Sequence, residues 1–264
     1  HGSGPEGNPS SVLATAWCWK ANGSGSANTD GSISSTVSVN ATAGFTIVKY
    51  DGEKNSGDTV GHGLGLVPDF MVFKNTELSV DWYAFHGKNT SAPETDYLML
   101  NENNATTDHN QRWWDTMPTS TLVTLGDDNG LNADGQAIVA YIWSGIQGYS
   151  KFGSYTGNGN ADGAFVYLGF RPAWLMIKRT DAVSDWFMYD VARDPLNPNT
   201  FALRASKNYA DNDDVGYSEH DYLSNGIKLR QTWDGLNASG GQYIYMAFAE
   251  APFVNSEGVP CNAR

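Results

Sequence analysis

Cysteine is nearly absent: 264 residues hold only Cys18 and Cys261. Two thiols are too few for a disulfide scaffold or a thiolate zinc site. Cys18 falls in the alternating run Ala16-Trp17-Cys18-Trp19, which gives it the place of a small buried hydrophobe, with a bridge to Cys261 as the alternative. Basic residues are also scarce, 16 Lys and Arg against 29 Asp and Glu, for a formal net charge of −13. Such a surface repels phosphate backbones and anionic headgroups, which argues against nucleic acid and membrane surfaces as partners. No apolar run approaches the roughly 18 residues of a membrane-spanning helix. Residues 1–11 lack the charged start and apolar core of a secretion signal. Catalytic signatures are missing too: there is no Gly-x-Ser-x-Gly elbow, His-Glu-x-x-His, P-loop or Cys-x-x-Cys. Carboxylates are numerous enough to supply a glycosidase acid pair, which keeps a saccharide-degrading enzyme as a third functional alternative.

What the chain has in quantity is glycine (29), tyrosine (13) and tryptophan (9), a composition that suits a turn-rich all-β protein. It also has an internal repeat. Residues 64–74 match 168–178, Asp81-Trp82-Tyr83 matches Asp185-Trp186-Phe187, and Gly130-Leu131-Asn132-Ala133 matches Gly235-Leu236-Asn237-Ala238. The offset is 104 at the start (148 − 44) and 105 at the end (237 − 132). Solenoid units run about 20–50 residues, so this period means duplicated domains. The expected organisation is an N-terminal arm and strand (1–43), a first repeat (44–147), a second repeat (148–253) and a tail (254–264).

Inside each copy the apolar period is 2, and the runs Phe70-Met71-Val72-Phe73 and Trp174-Leu175-Met176-Ile177 have the continuous hydrophobicity of central strands. Short strands with regular turn signals predict two tandem, duplicated antiparallel β-sandwiches, jelly-roll-like, with the arm in front. The stretch 13–20 has the pattern of a closing strand without its own domain, which predicts a preceding unit and a neighbour to cover Trp17 or Trp19. The polar stretch 22–43, with a strand near 32–39, is expected to lie along a neighbour's surface.

Trp82 and Trp186 recur at equivalent places and so read as shared core positions. Residues 88–119 and 194–222 differ between the copies and carry Trp113, Trp114, Tyr209 and Tyr217. Loops on a rigid scaffold carry specificity, so these four are the candidate ligand-binding residues, with rings able to stack on a sugar. The alternative packs Trp113 and Trp114 over the sandwich end or against another subunit. Most Asp residues lie in Asn/Gly-rich turns and read as solvated; Asp211, Asp213 and Asp214 are the alternative Ca²⁺ ligands, although the segment departs from the EF-hand pattern. Otherwise no cofactor is expected.

Several motifs together carry a resemblance: WKANGSG (19–25), NTDGSISSTVS (28–38), GHGLG (61–65), YTGNG (155–159), GFRPA (169–173), FAL (201–203) and AFAEAPF (247–253). In this order they resemble a recurrent domain of uncharacterised function in marine bacteriophage tail-fibre-like and other virion proteins, over roughly residues 14–253. Asn225 to Leu229 with Asn237 to Phe248 is similar to the closing segment of H-type lectin-like sandwiches. The resemblance implies a non-enzymatic virion structural protein on the particle surface, self-associating as a homotrimer, meeting other virion proteins and a host surface glycan. The alternative it allows is a purely architectural subunit, a capsid decoration or fibre building block.

Overall fold

The computed structural model describes residues 15–209 and 219–252. Its first ten strands are β1 (Ser26–Asn28), β2 (Ser35–Asn40), β3 (Phe45–Asp51), β4 (Asp58–Gly61), β5 (Phe70–Asn75), β6 (Tyr83–His86), β7 (Asp96–Met99), β8 (Thr107–Asp108), β9 (Leu122–Leu125) and β10 (Ala137–Trp143). Eight more follow: β11 (Ser150–Thr156), β12 (Phe165–Tyr167), β13 (Pro172–Arg179), β14 (Trp186–Asp190), β15 (Leu203–Arg204), β16 (His220–Leu223), β17 (Gly226–Leu229) and β18 (Gln242–Ala249). The described α-helices are single turns, α1 (Asn129–Asn132) and α2 (Asp234–Asn237). None is long and apolar enough to cross a membrane.

Strand order bears the duplication out. In the eight-stranded sheet β1-β2-β3-β10-β5-β6-β7-β8, the neighbours β3-β10-β5-β6-β7 match the five-stranded sheet β11-β18-β13-β14-β15 one for one. The small sheet β4-β9 likewise matches β12-β17, which β16 extends. The ladders are antiparallel throughout the matched set. The fold is all-β, and each copy is a sandwich of one large and one small sheet.

Alternation along the strands then explains how the layers stack. In β5, Met71 and Phe73 face the first copy's own small sheet, in a core with Val60, Val123 and Leu125. In β13, Leu175 and Ile177 do the same against Val166, Ile227 and Leu229. The intervening residues Phe70 and Val72, and Trp174 and Met176, face away from those cores into a third. That third core holds Phe45, Ala84, Leu98 and Trp143 from copy one with Phe152, Trp186, Ile244, Met246 and Phe248 from copy two. The two large sheets are therefore packed face to face, giving four layers. Central strands buried on both faces must be apolar at every position, which is the physical cause of the continuous runs in β5, β13 and β18.

The polar stretch 22–43 lies along a neighbour with its strand in the expected place: it supplies β1 and β2, and β2 pairs with β3 in the register Val37↔Val48, extending the first large sheet. Two other expectations about the N-terminal region are corrected. Residues 15–20 form no strand. Trp17 and Trp19 instead insert edge-on over the seam between the copies. Trp19 meets Trp143 at 5.7 Å, Trp174 at 5.3 Å and Phe248 at 5.5 Å, and Trp17 meets Trp174 at 5.9 Å. Because both indoles face inward, Cys18 between them is exposed, not a buried hydrophobe. Cys261 lies outside the described residues.

Candidate functional site

Each copy is closed by an asparagine. Asn132 is fully buried; its Oδ1 accepts the N–H groups of Glu53 (2.8 Å) and Lys54 (3.2 Å), and its Nδ2 donates to Asn55 O, Asp58 Oδ2 and Gly126 O. Asn237 repeats this: Oδ1 accepts Asn158 N–H (2.9 Å), and Nδ2 donates to Asn158 Oδ1, Asn160 O and Gln231 O. The clip draws the chain so close that a Cβ on Gly52 would lie 2.4 Å from Ala133 O, and one on Gly157 2.3 Å from Ala238 O. Glycine is required at both places for that reason. Tyr50 and Tyr155 donate their hydroxyls to Leu131 O and Leu236 O. The repeated turns are thus structural.

The seam is held by polar groups as well as aromatic ones. Trp186 Nε1 donates to Met99 O (2.9 Å), Thr106 N–H to Thr180 O (2.8 Å) and Ser184 N–H to Asn103 O (2.9 Å). Each of these bonds joins one copy to the other. Buried His86 accepts the Lys88 N–H at Nδ1 (3.0 Å), which leaves Nε2 to donate to Tyr245 O of the second copy (3.1 Å). Burial pushes its pKa down to about 4, so the ring is neutral. Lys178, fully buried, donates to Ser184 O (2.6 Å) and Asn103 O (3.4 Å), and burial lowers its pKa to about 8. Its counterpart Lys74 clasps Val80 O, which matches Ser184 O, but its second acceptor is Leu78 O of its own copy, in a more open place.

Beside these bonds lies a cleft of about 540 Å³. Lys88, Asn89 and Thr106 line it from copy one, and Ser154, Asp181 and Gln242 from copy two. Tyr243 closes its base, with its hydroxyl engaged by Asp234 O (2.6 Å) and the Ala238 N–H (2.8 Å) and its pKa pushed up to about 12, chiefly by burial. Asp181 is held by Arg179 (2.8 Å); partial burial opposes its charge, but this hydrogen bond and its companions outweigh that and bring the carboxyl below its usual range. A second opening is lined by Trp17, Trp19, Trp82, Trp143 and Trp174; it is an apolar hollow of about 180 Å³ within the seam.

The expected ligand-binding aromatics do not converge. Trp113 is 1% exposed, packs on Phe73 (5.4 Å) and Phe85 (5.7 Å), and donates Nε1 to Asp96 O (2.9 Å). It plugs the end of the first sandwich and offers no face to a sugar, so of the two readings the packing one holds for it. Trp114 is 41% exposed and sits with Asp115 in the left-handed region (φ 51° and 45°). Tyr209 is 49% exposed in the other copy, beneath the Arg204 guanidinium at 4.9 Å. Tyr217 and the Ca²⁺ candidates Asp211, Asp213 and Asp214 lie outside the described residues. Among the described residues no three His, Cys, Asp or Glu side chains gather as metal ligands would. No sequence signal pointed to the cleft, because its two walls come from segments of different copies, whose nearest lining residues, Thr106 and Ser154, are 48 positions apart (154 − 106).

This architecture defines a class: an all-β protein of two duplicated sandwiches fused through their large sheets. The chain belongs to the family described as Domain of unknown function (DUF7483), which matches residues 2–252. The match takes in both copies and the N-terminal strands. No curated protein and no solved structure matches the chain.

Proposed function

We propose that the chain is a non-enzymatic structural module of a bacteriophage virion surface, tail-fibre-like, that self-associates and presents its surface to other virion proteins and to a host glycan. The observation that carries this reading is where the chemically versatile side chains go. Lys178, His86, Asn132 and Asn237 are each buried in hydrogen bonds that hold the two copies closed or together. Catalysis instead needs such groups at an opening, poised for a substrate. Asp181 is the one carboxylate among the described residues lining the seam cleft, whereas glycoside hydrolysis by the common route needs two. The motif order that resembles phage virion domains supports the location.

The architectural reading, in which the surfaces meet copies of the same chain, draws on one feature. β12 is the outer strand of its sheet and exposes Phe165 (47%) and Tyr167 (57%). Uncovered edge strands of this kind invite pairing. Light scattering on the purified chain tests self-association, with a trimer expected. A monomer at micromolar concentration, unchanged by Tyr167→Lys, contradicts it. Immunogold labelling of particles encoding the chain tests the location; label on fibres or capsid surface is expected, and unlabelled particles overturn the reading.

A further inference from the structure

We propose that the cleft at the seam binds a neutral oligosaccharide. This deepens the attachment reading above and rests on it, but moves recognition from the loop aromatics to a site that neither copy forms alone. At about 540 Å³ the cleft falls in the range of small-ligand sites, about 300–1,000 Å³. Its walls carry hydroxyl and amide groups with one ammonium and one carboxylate, a mixture that can both give and accept hydrogen bonds. Vicinal sugar hydroxyls, each donor and acceptor at once, are the ligand chemistry that such a lining fits.

Three details sharpen the assignment. Buried Asn89 has its Oδ1 occupied by the Thr106 hydroxyl (2.8 Å), while its Nδ2 makes no hydrogen bond with the described residues. An amide pinned through its oxygen holds its two N–H donors in a set direction, so little rotamer freedom is lost on binding. Across the cleft, Asp181 is oriented by Arg179 (2.8 Å), and Gln242 is fixed through Gly240 O (2.9 Å) and the Thr156 hydroxyl (3.2 Å). The walls are also stapled to each other by the Thr106 N–H to Thr180 O bond (2.8 Å), so the site is preorganised. Charge favours a neutral saccharide: the Lys88 ammonium balances the Asp181 carboxylate in the walls, and the chain as a whole carries −13, which repels an acidic sugar.

The test is a titration of the whole ¹⁵N-labelled chain with maltotriose, cellotriose, chitotriose and, as the acidic control, sialyllactose, read by amide chemical shifts. The expected result is that a neutral trisaccharide shifts the Asn89 side-chain amide and the backbone of residues 88–91, 105–106 and 180–181. Asn89→Leu then weakens that binding by about tenfold or more. Because Asn89→Leu removes the Thr106 bond and risks the fold, Ser154→Trp is the second variant. Ser154 is exposed on β11, so a bulky ring there fills the cleft and should abolish binding with the melting temperature unchanged. Shifts confined to the neighbourhood of Trp114 or Tyr209 would overturn the cleft while leaving the attachment reading in place. Tighter binding of sialyllactose than of any neutral sugar would overturn the charge argument. Absence of shifts with all four at millimolar concentration would overturn the proposal outright, and immunogold labelling would then decide the attachment reading separately.

Discussion

Trp82 and Trp186 hold the same place in the two copies, yet Trp186 is sealed and Trp82 is half-buried. Trp186 donates to Met99 O across the seam and packs on Phe70 at 6.2 Å, whereas Trp82 stacks on Tyr141 at 6.4 Å and lines the apolar hollow. Lys74 and Lys178 diverge the same way: the loop that reaches Asn103 covers Lys178, and Lys74 keeps some solvent. At the open end of each sandwich the filler itself differs. The guanidinium of Arg112 lies 4.1 Å over Tyr83 and pairs with Asp128, while in copy two the Trp233 ring meets Phe187, the counterpart of Tyr83, at 5.1 Å. By contrast Asn132 with Asn237, Gly52 with Gly157 and Tyr50 with Tyr155 are interchangeable. The lesson is that bonds internal to a copy are repeated, and positions facing the other copy or the open ends are not.

The largest expected effect separates the tryptophans. Trp186→Ala and Trp113→Ala should each destabilise the chain by about 3–5 kcal/mol, as truncation of a sealed aromatic does. Trp82→Ala should cost about 1–2 kcal/mol and Trp114→Ala at most about 0.5 kcal/mol. Denaturant unfolding of the four variants checks the ranking; equal losses at Trp82 and Trp186 would erase the asymmetry of the seam.

Next comes pH. The pKa of His86 is about 4 folded and about 6.5 unfolded, so the unfolded chain takes up the proton first as pH falls. Its contribution is complete above pH 6.5 and is lost between 6.5 and 4, by about 3 kcal/mol. Burial also lowers the pKa of His62, which acts in the same direction. The difference between wild type and His86→Gln, measured from pH 7 to pH 4, isolates the seam histidine. Identical slopes would contradict its role.

A smaller effect tests the equivalence within the copies. Asn132→Ala and Asn237→Ala each strand several buried partners and should cost about 2–3 kcal/mol apiece. A large loss in one copy and none in the other would show that the clips are not equivalent. A smaller effect again belongs to the N-terminal segment. Trp19→Ala uncovers the edges of Trp143 and Trp174 and should cost about 1–2 kcal/mol, since such aromatic contacts contribute about 0.5–1.5 kcal/mol each beyond area.

Much of the fold was legible in the chain. The matched strings located the copies, the period of 2 identified strands, and Asn132 and Asn237 marked turns whose structural role the hydrogen bonds explain. The continuous apolar run of β5 announced burial on both faces. What covers its second face, the other copy, is a long-range pairing that no local pattern encodes. Trp113 misled for a related reason: its surroundings in sequence are polar, but the indole folds back onto Phe73 and Phe85, which lie some 30 to 40 residues away. Cys18 was misplaced because alternation fixes which residues share a face, and not which of the two faces is inward.

The central claim is that the seam core makes the two copies one cooperative body. Differential scanning calorimetry of the whole chain tests it most directly, by comparing the calorimetric and van't Hoff enthalpies of unfolding. A single transition with equal enthalpies is predicted, replaced in Trp186→Ala by a broader transition in which the calorimetric value exceeds the van't Hoff value. Two resolved transitions in the wild-type chain, or a calorimetric enthalpy about twice the van't Hoff value, would contradict it.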